Sequence, residues 1–216
     1  MPETLNSPVN FPTMDSYQTW VRQNWVHAHG SNAAQFHTRA KFEEEIDELR
    51  EAIHIGNTLD ISLELGDVLW TATATADNAG INIADSLQYT YPHIFTTPDI
   101  PTDYLDLVVA NHAHDFSIKD IDELLVDLKF QLGKNAKQWF FLKPFLDDTG
   151  TRRFADVLIE EKAHQAKTGL ADTLLLISYI AQHDLSKSTE EIMLTNLGKL
   201  SGRLAGGKPV TSQPRQ

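Results

Sequence analysis

Two acidic stretches decide the fold of this chain: EEEIDEL at residues 43–49 and ELGDVLW at residues 64–70. Each stretch contains two acids three residues apart, a spacing that places both side chains on the same side of a helix, one turn apart. The residues between the stretches are enough to end one helix, turn, and run back antiparallel beside it. Two neighbouring helices are therefore predicted to bring four carboxylates together: Glu45, Glu48, Glu64 and Asp67.

A cluster of four carboxylates has the oxygen-rich chemistry that suits hard cations, above all Mg²⁺, with Mn²⁺ as the alternative. Glutamate runs on helices are also common on solvated faces, and Glu43 and Glu44 fit that simpler interpretation. The four acids differ from such runs because they border apolar stripes. Asp67 lies inside a mostly apolar run, where a purely structural helix rarely carries an acid.

The fold class predicted from periodicity is all-α. Apolar residues recur at i, i+3, i+4 and i+7 along most of the chain, whereas alternating strand patterns are scarce. Residues 38–55 and 59–79 are predicted as the helices that carry the acids. In the second half of the chain, residues 152–165 and 169–183 are predicted as two separate helices, divided near Gly169.

The two halves of the chain look related, which predicts a tandem pseudo-dimer. LGDVLW at 65–70 is matched by LADTLL at 170–175, and each is followed by a helical stretch, a break and another helix. The predicted division is a flexible N-terminus at 1–13, a first half at 14–91, a proline-containing linker at 92–102, a second half at 103–204, and a flexible tail at 205–216.

Composition limits the classes of partner. The 216 residues carry a net charge of −12 and no cysteine, which argues against nucleic-acid binding and excludes disulfides and thiolate metal sites. There is no apolar run near bilayer length and no basic-then-apolar leader pattern. A cytoplasmic protein without a membrane partner is expected.

The stretches EEIDEL and ELGDVLW resemble the signature of the all-α nucleoside triphosphate pyrophosphohydrolases, a superfamily that includes MazG, the dimeric dUTPases and the phosphoribosyl-ATP pyrophosphohydrolases. The resemblance implies a four-helix-bundle core that binds Mg²⁺ through the four acids. It also implies cleavage of a nucleoside triphosphate between the α and β phosphates, giving a nucleoside monophosphate and pyrophosphate. House-cleaning of nucleotides is the role expected of the family.

Members of this family commonly carry a basic N-x-x-K-L-x-x-R tail that helps to hold the substrate. The first half departs from the pattern at 88–93, but the second half contains it as Asn196, Lys199 and Arg203. Conversely, the second half has Gly169 where the first half has Glu64. The hypothesis is a fused pseudo-dimer with one composite site. The alternative is that Lys199 and Arg203 only interact with a helix dipole.

Further roles complete the prediction. Glu48 is expected to orient or deprotonate the attacking water, and Trp70, one turn past Asp67, is the best candidate for stacking on the substrate base. Two other functions remain open: a degenerate nucleotide- or metal-binding regulatory protein without catalysis, and a helical adaptor. The sequence also leaves open whether two chains pair as a homodimer of pseudo-dimers.

Overall fold

A computed structural model describes residues 11, 13–112, 121–142 and 155–205 of the chain. Within these ranges the protein is helical and contains no strand beyond an isolated bridge between Thr13 and Pro101. The all-α prediction is therefore confirmed. The α-helices are α1 (Met14–Asn24), α2 (Asn32–Ile55), α3 (Thr58–Asn78), α4 (Ile83–Thr90), α5 (Thr102–His112), α6 (Ile121–Leu128), α7 (Asn135–Leu142), α8 (Ala155–Leu185) and α9 (Thr189–Ala205).

The two acid-bearing helices form the predicted hairpin. α2 ends at Gly56, whose backbone adopts a left-handed conformation with φ of 77° that glycine tolerates without steric cost. The next residue, Asn57, accepts a hydrogen bond from the backbone N–H of Leu59 and so caps α3. α2 begins earlier than predicted because Ser31 caps it, accepting from the N–H of Ala34 at 3.1 Å.

α3 lies at the centre of the molecule and contacts α1, α2, α8 and α9. It is buried around nearly its whole circumference from Ile61 onward, as expected for a helix that is largely apolar on all faces. Thr71 and Thr75 satisfy their hydroxyls within the helix by donating to backbone carbonyls four residues earlier. The central place of α3 puts position 67 between α2 and the helices α8 and α9.

The second half of the chain departs from the prediction at α8. The predicted break near Gly169 is wrong, because Ala155–Leu185 forms one continuous helix. A Cβ on Gly169 would lie only 2.7 Å from the backbone nitrogen of Leu132, in the π-helical segment Lys129–Lys134 that joins α6 to α7. The glycine therefore permits close packing of two backbones and does not end a helix.

Parts of the predicted terminal and linker segments lie among the described residues. The segment 92–102 is without helix up to the start of α5, yet it is packed, since Phe95 and Ile100 are buried. In the N-terminal segment Phe11 is buried and Thr13 caps α1, while residues 1–10 and 12 lie outside the described residues, as do 206–216. Among the described helices, none has the length and apolar character needed to cross a membrane.

Candidate metal centre

Three of the four predicted acids converge where α2 and α3 face each other. Glu45 and Glu48 project from α2 and Glu64 from α3, and one carboxylate oxygen of each lies within 4.8 Å of the others. The convergence follows from the three-residue spacing on α2 and the antiparallel return of α3. An open cavity of about 250 Å³ adjoins the cluster and is lined by Glu48 and Glu64.

The fourth acid, Asp67, contacts the second half of the chain. Its Oδ1 accepts a hydrogen bond from Asn196 Nδ2 at 2.6 Å, and its Oδ2 forms an ion pair with Lys199 Nζ. Asp67 is 9% exposed and Asn196 only 1%. The close approach requires a glycine, because a Cβ on Gly66 would lie 2.8 Å from Asn196 Cβ. Residues from both halves therefore meet at one site.

Lys41 belongs to this site although the sequence interpretation missed it. Its Nζ lies 2.9 Å from Glu45 Oε1 and 2.8 Å from Glu44 Oε2, and the residue is buried. The spacing offered a signal, since Lys41 precedes Glu45 by four residues and shares its helix face. A buried lysine offsets part of the like-charge repulsion among the carboxylates.

Burial and mutual repulsion raise the pKa values of two of the acids. Desolvation raises the pKa of Glu45 to about 7, the charges of Asp67 and Glu48 add to the rise, and Lys41 opposes it. The pKa of Glu64 is also raised, first by burial and then by the charge of Asp67, with Lys199 acting in the opposite direction. A bound cation would relieve this repulsion.

Two buried carboxylate oxygens indicate whether a cation fits the cluster. Glu45 Oε2 and Glu64 Oε2 are buried and have no hydrogen-bond partner among the described residues. Buried acceptors normally find a donor or a positive charge, and an unpaired carboxylate oxygen is costly. The donor set consists of oxygens alone, as hard divalent cations prefer. The acidic cluster can therefore hold a metal ion.

The remaining predicted residues differ in their surroundings. Trp70 is 3% exposed and packs against Trp20 and Trp25, with ring centroids 5.0 and 5.8 Å away. Its role in base stacking stays a prediction that this burial does not favour. Arg203 lies in the last turn of α9 and is partly buried. Its contact with substrate also stays a prediction.

A hydrogen bond at Asp172 mirrors the one between Asn196 and Asp67. Tyr91, which follows α4, donates its hydroxyl to Asp172 Oδ1 on α8 at 2.6 Å. Asp172 follows Asp67 by the same number of residues as Asn196 follows Tyr91. Each aspartate is thus bound by a residue of the other predicted half.

The acid-bearing segment matches a known family model. Residues 35–91 match the family model described as the MazG nucleotide pyrophosphohydrolase domain. The match spans α3 and α4 and most of α2, and it contains all four acids. No curated protein and no solved structure matches the chain.

Proposed function

We propose that the chain is a Mg²⁺-dependent nucleoside triphosphate pyrophosphohydrolase, since residues 35–91 match the model of the MazG nucleotide pyrophosphohydrolase domain. The reaction adds water across the anhydride between the α and β phosphates and yields a nucleoside monophosphate and pyrophosphate. One observation carries the proposal: Glu45, Glu48 and Glu64 converge within 4.8 Å, and two of their buried oxygens have no hydrogen-bond partner in the part of the chain that the structure describes.

The four acids divide the chemical tasks. Glu45, Glu64 and Asp67 are proposed to hold the metal, and Glu48 both to bind it and to orient or deprotonate the attacking water at the mouth of the adjoining cavity. Bound Mg²⁺ supplies charge neutralisation at the phosphates and lowers the pKa of water. Lys41 stays beneath the cluster, where its charge limits the repulsion among the acids.

The second half of the chain is proposed to complete the site. Asn196 and Lys199 contact Asp67, and the positive charge of Lys199 is proposed to offset the negative charge that develops on the pyrophosphate leaving group. Arg203 lies one helical turn beyond Lys199 and is proposed to act in the same way. The mirrored contact of Tyr91 with Asp172 supports a fused pseudo-dimer with one composite site.

The direct test is release of pyrophosphate from a panel of ribo- and deoxyribonucleoside triphosphates, with Mg²⁺, with Mn²⁺ and with EDTA. We expect release from at least one nucleotide that depends on the metal. No release from any member of the panel would refute the proposal.

Substitution of the acids tests their roles. Glu48→Gln and Asp67→Asn should each lower kcat by about 100-fold or more, because they remove the proposed base and a metal ligand. Glu43→Gln is the matched control, since Glu43 lies on α2 but pairs with Arg39 at 2.6 Å. Circular dichroism should show unchanged helicity in all three variants. Full activity in Glu48→Gln or Asp67→Asn would contradict the assigned roles.

A second candidate function is a nucleotide- or metal-binding regulatory protein without catalysis. One observation favours it: both oxygens of Asp67 are already engaged, by Asn196 and by Lys199. Saturable binding of Mn²⁺ and nucleotide together with no hydrolysis in the panel would select this function. Absence of metal and nucleotide binding would instead favour a helical adaptor.

A further inference from the structure

A second cavity, of about 660 Å³, opens between α8 and the π-helical segment with α7. None of its lining residues belongs to the acidic cluster or to the smaller cavity beside it. Its volume lies within the range of small-molecule sites, which runs from about 300 to 1,000 Å³. The cavity is therefore large enough to hold a small-molecule ligand.

The cavity occupies the place in the second half that the acidic cluster occupies in the first. Asp172 lines it, and Asp172 is the counterpart of Asp67 by the mirrored contacts with Tyr91 and Asn196. It is likewise enclosed by the helix that carries this aspartate and by the helical segment that precedes it in the chain. In the fused pseudo-dimer proposed above, the second cavity is the counterpart of the metal centre.

Most of the charged side chains that line this cavity carry the opposite charge to those of the acidic cluster. Gly169 replaces Glu64, and the segment facing α8 offers Gln131, Lys134 and Gln138 to the cavity in place of glutamates. Lys162 of α8 also lines it. In a chain with net charge −12, two lysines and a single carboxylate among the described lining residues favour an anionic ligand and disfavour a divalent cation.

Two amide oxygens indicate which groups the ligand carries besides its anionic part. Gln131 Oε1 and Gln138 Oε1 are buried and have no hydrogen-bond partner among the described residues. A buried carbonyl oxygen without a donor is costly. Rotation of the Gln131 and Gln138 side chains toward the cavity that they line would let N–H groups of a ligand satisfy both oxygens. Phe130, which is 59% exposed, lies at the same cavity and presents an aromatic ring.

We infer that this cavity is a second, metal-independent binding site that takes a nucleoside phosphate. Lys134 and Lys162 bind the phosphate, the amide oxygens of Gln131 and Gln138 accept from N–H groups of the base, and Phe130 stacks on it. Nucleotides combine an anion, N–H donors and a flat aromatic ring in one molecule. The inference does not require hydrolysis at the acidic cluster.

The experiment is calorimetric titration of the full chain with the four ribonucleoside monophosphates in EDTA. Without metal, the acidic cluster repels phosphate, so the second cavity is the expected site. We expect saturable binding of at least one nucleotide, one per chain, and weaker binding of inorganic phosphate alone. No saturable binding of any of the four would overturn the inference.

Variants locate the binding. The double variant Lys134→Gln/Lys162→Gln should weaken binding at least about tenfold, because two charge-assisted contacts are lost. Lys137→Gln is the matched control on α7, since the Lys137 ammonium lies 4.1 Å above the Phe36 ring and outside the cavity. Unchanged affinity in the double variant, or an equal loss in the control, would overturn the assignment.

Glu48→Gln separates this inference from the proposed hydrolysis. The variant should bind the monophosphate in EDTA as the unaltered chain does, because Glu48 does not line the second cavity. Loss of binding in Glu48→Gln would place the ligand at the acidic cluster and refute the inference. Binding in EDTA together with no pyrophosphate release from the panel would refute the hydrolase proposal alone.

Discussion

At the scale of single residues, Glu45 couples the acidic cluster to pH. Its pKa in the folded protein is raised from 4.5 to about 7, chiefly by burial. The folded chain therefore holds this proton more tightly than the unfolded chain does. The resulting stabilisation is fully present below about pH 4.5 and is lost as the pH rises through about 7.

Without metal, Glu45 should therefore lower the free energy of unfolding at pH 8 by about 1–3 kcal/mol relative to pH 5.5. Glu45→Gln, which mimics the protonated acid, should reduce that difference. Urea unfolding in EDTA at the two pH values, for both proteins, measures it. If the two proteins showed the same pH dependence, the raised pKa assigned to Glu45 would be contradicted.

The residues of the site were predictable to different degrees. The spacing of Glu45, Glu48 and Glu64 was sufficient to predict their convergence, because helix geometry fixes which residues share a face. The contacts of Asp67 with Asn196 and Lys199 join helices distant in sequence, so the helical period did not predict them. The family resemblance suggested that Asn196 and Lys199 complete the site, but not that they contact Asp67.

At the scale of helices, the packing of α8 depends on Gly169. Gly169→Ala should destabilise the protein by about 1–3 kcal/mol, because its Cβ would lie 2.7 Å from the backbone of Leu132. Gly198→Ala is the control within α9, where nothing lies within 4 Å of an added Cβ. There, the higher helix propensity of alanine should stabilise by about 0.5–1 kcal/mol.

Thermal or urea unfolding of the two alanine variants measures these opposite shifts. Equal stabilisation of both would show that α8 does not pack closely on the π-helical segment. The example also explains why the prediction placed a break at Gly169. Glycine in a sequence indicates either a helix end or a close backbone approach, and only the neighbouring element distinguishes the two.

At the scale of the whole molecule, the mirrored hydrogen bonds are expected to differ in function. Asn196→Ala should lower kcat/KM by about 10- to 100-fold, because Asn196 positions Asp67 beside the acidic cluster. Tyr91→Phe removes the corresponding hydrogen bond to Asp172 and should leave kcat/KM within about twofold of the unaltered chain. Steady-state kinetics of both variants would test this asymmetry, and equal losses would contradict a single composite site.

The all-α architecture was accessible from periodicity because α2 and α3 are long and regular. The relation between the halves was visible in sequence only as a short match at 65–70 and 170–175. The reciprocal contacts of Asp67 and Asp172 support that relation, and the division of the chain into the two predicted halves stays a prediction.

The position of the broken phosphate bond distinguishes the proposed reaction from other nucleotide hydrolyses. Phosphorus NMR of the products formed from a hydrolysed nucleoside triphosphate, with Mg²⁺ and with EDTA, measures this directly. We predict nucleoside monophosphate and pyrophosphate in equal amounts with Mg²⁺, and neither product with EDTA or with Glu48→Gln. Nucleoside diphosphate with inorganic phosphate, or turnover that persists in EDTA, would contradict the account.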